Sequence, residues 1–253
     1  MPFVWVIIII PFLLMTQRWL HKHIQGVALL ITKRHDWAFI LYALVFFPGV
    51  VIHELSHWLM ANLLGVRTGQ ISVIPQIKEN GGVQFGYVEY YRTKGLDPVR
   101  ESLIGGAPLI SGTIITLLIA FQVFNVDDLG LAIRQNDLAA TSSLINQTFQ
   151  TNDFLVWLYL LFAVSNAMMP SPSDRRAWPA FGITLAVLAV ILYLFDLQAW
   201  LWQGVGGPVA LVFGYLGLAL SLTVGTNIAA ICVIATLEYI IGRIRGLELN
   251  YGD

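Results

Sequence analysis

The residues His53-Glu54-Leu55-Ser56-His57 concentrate the chemistry of this chain. Two imidazoles four residues apart fall on one face of a helix, about one turn apart, with a carboxylate beside them. That spacing suits a zinc ion. Imidazole nitrogens ligate the ion, and the neighbouring glutamate takes a proton from water that the ion has acidified. The plainer alternative is a pair of surface histidines next to an ordinary glutamate. Location argues against it, because the cluster interrupts an otherwise charge-free apolar run, where an unpaired glutamate is costly.

A catalytic zinc usually takes three protein ligands plus water, so a third ligand must come from elsewhere. The single cysteine, Cys232, lies in an apolar run and excludes a cysteine-rich site, which leaves histidine and carboxylate. Asp36, Glu101 and Asp196 mark the ends of apolar runs, and Asp127, Asp128 and Asp137 belong to a polar connection. Asp174 is the distinctive carboxylate. It follows Asn166 in a stretch where Pro170 and Pro172 end a helix, and extended backbone is expected beside it, lining a site that admits water. The competing reading is a Pro-Ser loop with Asp174 paired to Arg175 or Arg176. His21, His23 and His35 lie in a basic connection and read as solvated or interfacial.

The elements that must position these residues are membrane-like. The 253 residues are 57% hydrophobic and 11% charged, against about 25% charged in an average soluble domain. A soluble enzyme is therefore excluded. With 14 Lys+Arg against 15 Asp+Glu the formal charge is −1, so no basic surface exists to hold a nucleic acid. Apolar runs occupy 2–15, 37–64, 103–124, 154–169, 178–195 and 208–241. The first is short and reads as a retained helix. The last exceeds one span of about 20 residues, and Gly225-Thr226-Asn227 offers a turn that would divide it. The expectation is an all-α polytopic membrane protein with six or seven transmembrane helices. It divides into 1–36 (N-terminal helix and basic connection), 37–177 (catalytic membrane core) and 178–253 (C-terminal transmembrane helices).

One segment breaks the helical pattern. Ile71, Val73, Val83, Phe85 and Tyr87 alternate with polar or small neighbours around Glu79-Asn80-Gly81-Gly82, which predicts a β-hairpin over 70–91. Its edge must be paired or covered, and an exposed edge is a docking site. Gly105-Gly106 is expected to allow close helix packing. Arg67, Lys78, Arg92, Lys94 and Arg100 flank the hairpin, and Arg175 and Arg176 follow the fourth run. This bias puts both connections on the cytoplasmic side of a cell membrane, although Arg18, Lys22, Lys33 and Arg34 oppose it.

With these motifs in place, the chain resembles the site-2 protease family of intramembrane zinc metalloproteases. The resemblance rests on His53-Glu54-x-x-His57 within an apolar run and on Asn166 eight residues before Asp174, with prolines between them. Gly106-Ala107-Pro108-Leu109 and the Gly86-Tyr87-Val88 of the hairpin are similar to further features of that family. Arg175 stands where the family usually has glycine. The resemblance implies a three-helix catalytic core, zinc held by His53, His57 and Asp174, and Glu54 as general base and acid. It also implies substrate contacts from Asn166, Tyr87 and Val88. The expected activity is hydrolysis of peptide bonds in or near the transmembrane segments of a client membrane protein, within the lipid bilayer and nearer its cytoplasmic face. Two alternatives stand beside it: a membrane zinc hydrolase of a non-peptide amide or ester, and a non-catalytic scaffold that binds clients and keeps zinc.

Overall fold

The computed structural model describes residues 2–74, 76–77, 83–84, 86–90, 98–196, 198–247 and 251. Among them eight helices and four short strands follow in the order α1 (Pro2–Thr32), α2 (His35–Leu63), β1 (Thr68–Ser72), β2 (Gln76–Ile77), β3 (Val83–Gln84), β4 (Tyr87–Tyr90), α3 (Pro98–Gln122), α4 (Val126–Arg134), α5 (Leu138–Phe149), α6 (Phe154–Ala167), α7 (Trp178–Leu194) and α8 (Gln198–Arg245). Four of the helices carry a stretch long and apolar enough to cross a membrane: Pro2–Thr32, His35–Leu63, Pro98–Gln122 and Gln203–Arg245. Phe154–Ala167 and Trp178–Leu194 are apolar but shorter. Each of the six apolar runs read from the sequence thus falls in a helix, and four of these helices are long and apolar enough to cross a membrane.

Two boundaries differ from the sequence-based expectation. The first helix does not stop near residue 15 but runs for 31 residues, so the basic stretch with Arg18 and Lys22 is helical rather than a connection. Gln17, Leu20 and Ile24 bury one face of that stretch, which keeps the helical period through the charged residues. At the other end, Gly225-Thr226-Asn227 makes no turn; α8 is one helix of 48 residues, about 72 Å at 1.5 Å per residue. Asn227 and Thr223 are fully buried there, and their side chains bond across or along the bundle instead of breaking it.

Helices α1 and α8 run parallel along most of α1. Contacts advance together in number, from Phe3 against Phe213 and Trp5 Nε1 donating to Ser221 Oγ, through Asn227 Nδ2 donating to Thr16 Oγ1, to His23 with Glu238 and Arg245 on the Leu30 carbonyl. Because Phe213 already meets Phe3, the first 15 residues of α8 reach past the start of α1. Helix α2 returns antiparallel to α1 after Lys33 and Arg34, Lys33 taking the left-handed conformation at φ 56. Helix α6 lies parallel to α2, with Tyr159 Oη donating to the Leu44 carbonyl at one end and His53 meeting Ala167 at the other. Leu20, Ile24, Tyr42, Phe46 and Phe162 join α1, α2 and α6 in one buried cluster, while Leu13, Met168 and Leu220 join α1 and α8 to the end of α6.

The polar connection at 125–152 folds into α4 and α5. Asp127 and Asp128 in the first turn of α4 and Arg134 in its last complement the helix dipole. Asp137 caps α5 by accepting from the Ala140 amide at 2.9 Å. In the hairpin, β1 pairs antiparallel with β4, Ile71 opposite Val88 and Ser72 opposite Tyr87, and β2 pairs with β3. The Asn80-Gly81 turn lies outside the described residues.

Candidate metal centre

His53 and His57 share one face of α2 and approach each other across one helical turn. Each ring is held from behind by a backbone carbonyl of a different neighbour. His53 Nδ1 donates to the Ala167 carbonyl at 2.7 Å, and His57 Nδ1 donates to the Ile104 carbonyl at 2.8 Å. A carbonyl only accepts, so both Nδ1 atoms carry the proton and both Nε2 atoms present a lone pair. These two Nε2 atoms lie 3.1 Å apart. Asp174 completes the group, with Oδ2 3.4 Å from His53 Nε2 and Oδ1 3.4 Å from His57 Nε2.

Three facing electron-pair donors repel one another unless a cation lies between them. Separations of 3.1 to 3.4 Å match the edge of a tetrahedron of about 3.3 Å, set by ligand bonds of about 2.0–2.1 Å. The donor set of two imidazoles and a carboxylate therefore fits a divalent metal ion, and all three ligand atoms lie within 4.8 Å of one another. Among the described residues this is the one such group of three or more.

The loop after α6 brings Asp174 into place by turns, not by the extended backbone expected. Arg175 N–H donates to the Ser171 carbonyl and Arg176 N–H to the Ser173 carbonyl. The Ser171 amide donates to Asp174 Oδ2 at 2.7 Å, fixing the carboxylate's direction. Among the described residues Asp174 forms no ion pair with Arg175 or Arg176, and Arg175 Nε donates to the Ser171 carbonyl instead. Gly105 seats this loop on α3. A Cβ there would stand 1.9 Å from the Asp174 carbonyl oxygen, so the expected close packing is of helix on ligand loop, while Gly106 meets nothing within 4 Å.

Glu54 is 8% exposed and adjoins the ligands, interacting electrostatically with His53, His57 and Asp174. Gly86 lies over it; a Cβ on Gly86 would stand 2.6 Å from Glu54 Cγ. The hairpin is thereby packed directly against the acid. A cavity of about 750 Å³ opens here, lined by the three ligands, Glu54, Asn166 and residues 86–88 of the hairpin, and it continues along α2 to Tyr42 and His21.

Asn166 lines the cavity at 7% exposure. Its Nδ2 donates to the Phe162 carbonyl at 2.9 Å and to Asn227 Oδ1 at 2.7 Å, which uses both donor hydrogens. Its Oδ1 is buried without a hydrogen-bond partner among the described residues. Asn166 therefore has no hydrogen to give to an oxyanion. Tyr87 and Val88 also line the cavity.

Sequence reasoning missed two histidines. His21 is half-buried and bonds Tyr42 at 2.6 Å; His23 bonds Glu238 at 2.6 Å and stacks on Trp19. Only His35 is exposed as expected. The signal was present in α1, where Leu20 and Ile24 are apolar four residues apart and put position 21 beside the same buried face. No family model, curated protein or solved structure matches this chain.

Proposed function

We propose that the chain is an intramembrane zinc metalloprotease of the site-2 protease kind, cutting peptide bonds in or near transmembrane segments of client membrane proteins. One observation carries the reading: two tautomer-fixed imidazoles and a carboxylate converge beside a buried glutamate, in a helix apolar enough to cross a membrane. His53, His57 and Asp174 would hold the ion. Zinc, when bound, supplies Lewis acidity that polarises a carbonyl and acidifies water at neutral pH.

The chain's own residues account for the rest. Glu54, adjoining the ligands in a largely desolvated wall, takes the proton released as water adds to the scissile carbonyl and returns it to the leaving amine. Substrate in a bilayer has its amides bonded within its own helix, so cleavage requires local unwinding. Strand β4 lines the cavity, is paired on one side by β1 and has no second strand neighbour among the described residues. An unwound segment added beside it gains main-chain hydrogen bonds. Asn166 lines the same cavity and would bear on that segment by contact. The strand edge favours an extended peptide over a non-peptide amide or ester.

Arg67, Arg100, Arg175 and Arg176 lie at the ligand end of the bundle and Lys33, Arg34, Arg243 and Arg245 at the other, so an active site nearer the cytoplasmic face rests on the further charges that flank the hairpin in sequence. The deciding experiment uses purified protein in proteoliposomes with a pool of transmembrane peptides, read by mass spectrometry beside metal analysis. Glu54→Gln is expected to lower cleavage by about 10²–10⁴-fold with metal content unchanged. Cleavage unaffected by that change would remove Glu54 from the mechanism, and cleavage absent from the wild type with zinc bound would favour the scaffold.

A further inference from the structure

The cavity is far larger than an ion and a water molecule require, and its shape follows one face of α2. Tyr42, Phe46, Val50, His53, Glu54 and His57 all line it, a stripe of helical spacing along a single helix. The middle of the stripe is apolar, from Phe46 and Val50. Both ends are polar. One end is the candidate metal centre; the other is a hydrogen-bonded pair contributed by α1 and α2, in which the Tyr42 hydroxyl and His21 Nδ1 lie 2.6 Å apart.

The far pair has a definite polarity. Of the two directions open to this bond, O–H···N pairs the stronger acid, the phenol, with the stronger base, the imidazole, so the phenol proton is directed to His21 Nδ1. That leaves the hydrogen of the neutral ring on Nε2. His21 lines the cavity, its edge meets Tyr42 and its ring lies 4.8 Å from Phe46. The far end is thus a hydrogen-bond donor set in aromatic walls.

From position 42 to position 53 is eleven residues of helix, about 16 Å. An extended chain advances about 3.3 Å per residue, so about five residues separate the two polar ends. We propose that His21, positioned by Tyr42, forms a specificity subsite that donates a hydrogen bond to an acceptor group on the substrate about five residues from the cleaved bond. The residues between would be apolar, matching Phe46 and Val50. This inference rests on the proteolytic reading of the metal centre and names what that centre selects.

The test measures binding rather than turnover. Zinc-loaded full-length protein in detergent is titrated with extended leucine peptides capped by a hydroxamate, which anchors on the metal. A 5-oxonorleucine, whose ketone accepts but cannot donate, is walked from the second to the seventh residue and compared with norleucine at each position. The expected result is binding about five- to tenfold tighter with the ketone near the fifth residue. His21→Phe should abolish that step while binding the all-norleucine ligand as the wild type does. Tyr42→Phe, which keeps His21 but frees its tautomer, should shrink the step to about threefold, and it decides the matter if His21→Phe fails to bind the norleucine ligand. A flat series, or a step that survives both changes, overturns the subsite while leaving the metal centre intact. Absence of zinc-dependent binding by every hydroxamate overturns the proteolytic reading and the subsite with it.

Discussion

At the scale of single residues, the centre depends on atoms that carry no obvious chemistry. Ala167 and Ile104 contribute only their carbonyls, yet these fix which nitrogen of each imidazole faces the ion. Gly105 contributes only the lack of a side chain. Gly105→Ala would place a methyl 1.9 Å from the Asp174 carbonyl oxygen, a backbone atom that cannot swing aside, so the loop must shift. We expect metal affinity to fall by about 10- to 100-fold, the size of effect seen when outer partners of ligands are disturbed. Gly106→Ala, one residue on and facing open space, should leave it unchanged. Isothermal titration with zinc on both variants checks the contrast. The histidine pair and Glu54 were legible in sequence because an i, i+4 pair is a local fact of helix geometry. Asp174 was legible only as one carboxylate beside two prolines, and the two carbonyls not at all, since each reaches its histidine across more than 40 residues of chain.

Between elements, polar side chains link helices whose other contacts are apolar. Asn227 on α8 receives from Asn166 on α6 and donates to Thr16 on α1, and Gln17 on α1 donates to the Asn166 carbonyl at 3.3 Å. This chain ends one residue before Ala167, so it clamps the end of α6 that bears on His53. Asn227→Leu removes two interhelical bonds and leaves a buried Asn166 amide and a half-buried Thr16 hydroxyl short of partners. Interhelical bonds of this kind contribute about 0.6 kcal/mol each on average, so a loss of about 1–2 kcal/mol is expected, measured by reversible unfolding in detergent against Ile228→Leu at a lipid-exposed neighbour. The sequence suggested a turn at this place because Gly-Thr-Asn is turn chemistry. Local preference lost to packing: with Asn227 fully buried and bonded to two helices, the polar triplet serves the interior of α8 instead of interrupting it.

For the whole molecule, helices long and apolar enough to cross a membrane turn large apolar side chains outward, a surface compatible with lipid. Ile228, Val233, Leu237 and Ile240 on α8 are 40% exposed or more, and so are Ile40, Leu44 and Phe47 on α2. Water would make such a surface aggregate, whereas hydrocarbon solvates it at no cost. Cys232 tests this directly, being a free and exposed cysteine among those outward residues of α8. It lies between Asn227, level with Thr16, and Glu238, level with His23, and so well within the length of α1. Where the bilayer covers that level of α8, the thiol would have no water to stabilise its thiolate and a charged reagent no route to it. In sealed proteoliposomes a membrane-impermeant maleimide should therefore leave Cys232 unlabelled for hours, from either side of the bilayer. The same reagent added after full denaturation in sodium dodecyl sulfate should label it to one equivalent, which intact-mass spectrometry reads. Rapid labelling in sealed vesicles would mean that this face of α8 meets water, and with it the reason for an apolar surface of this extent would be gone.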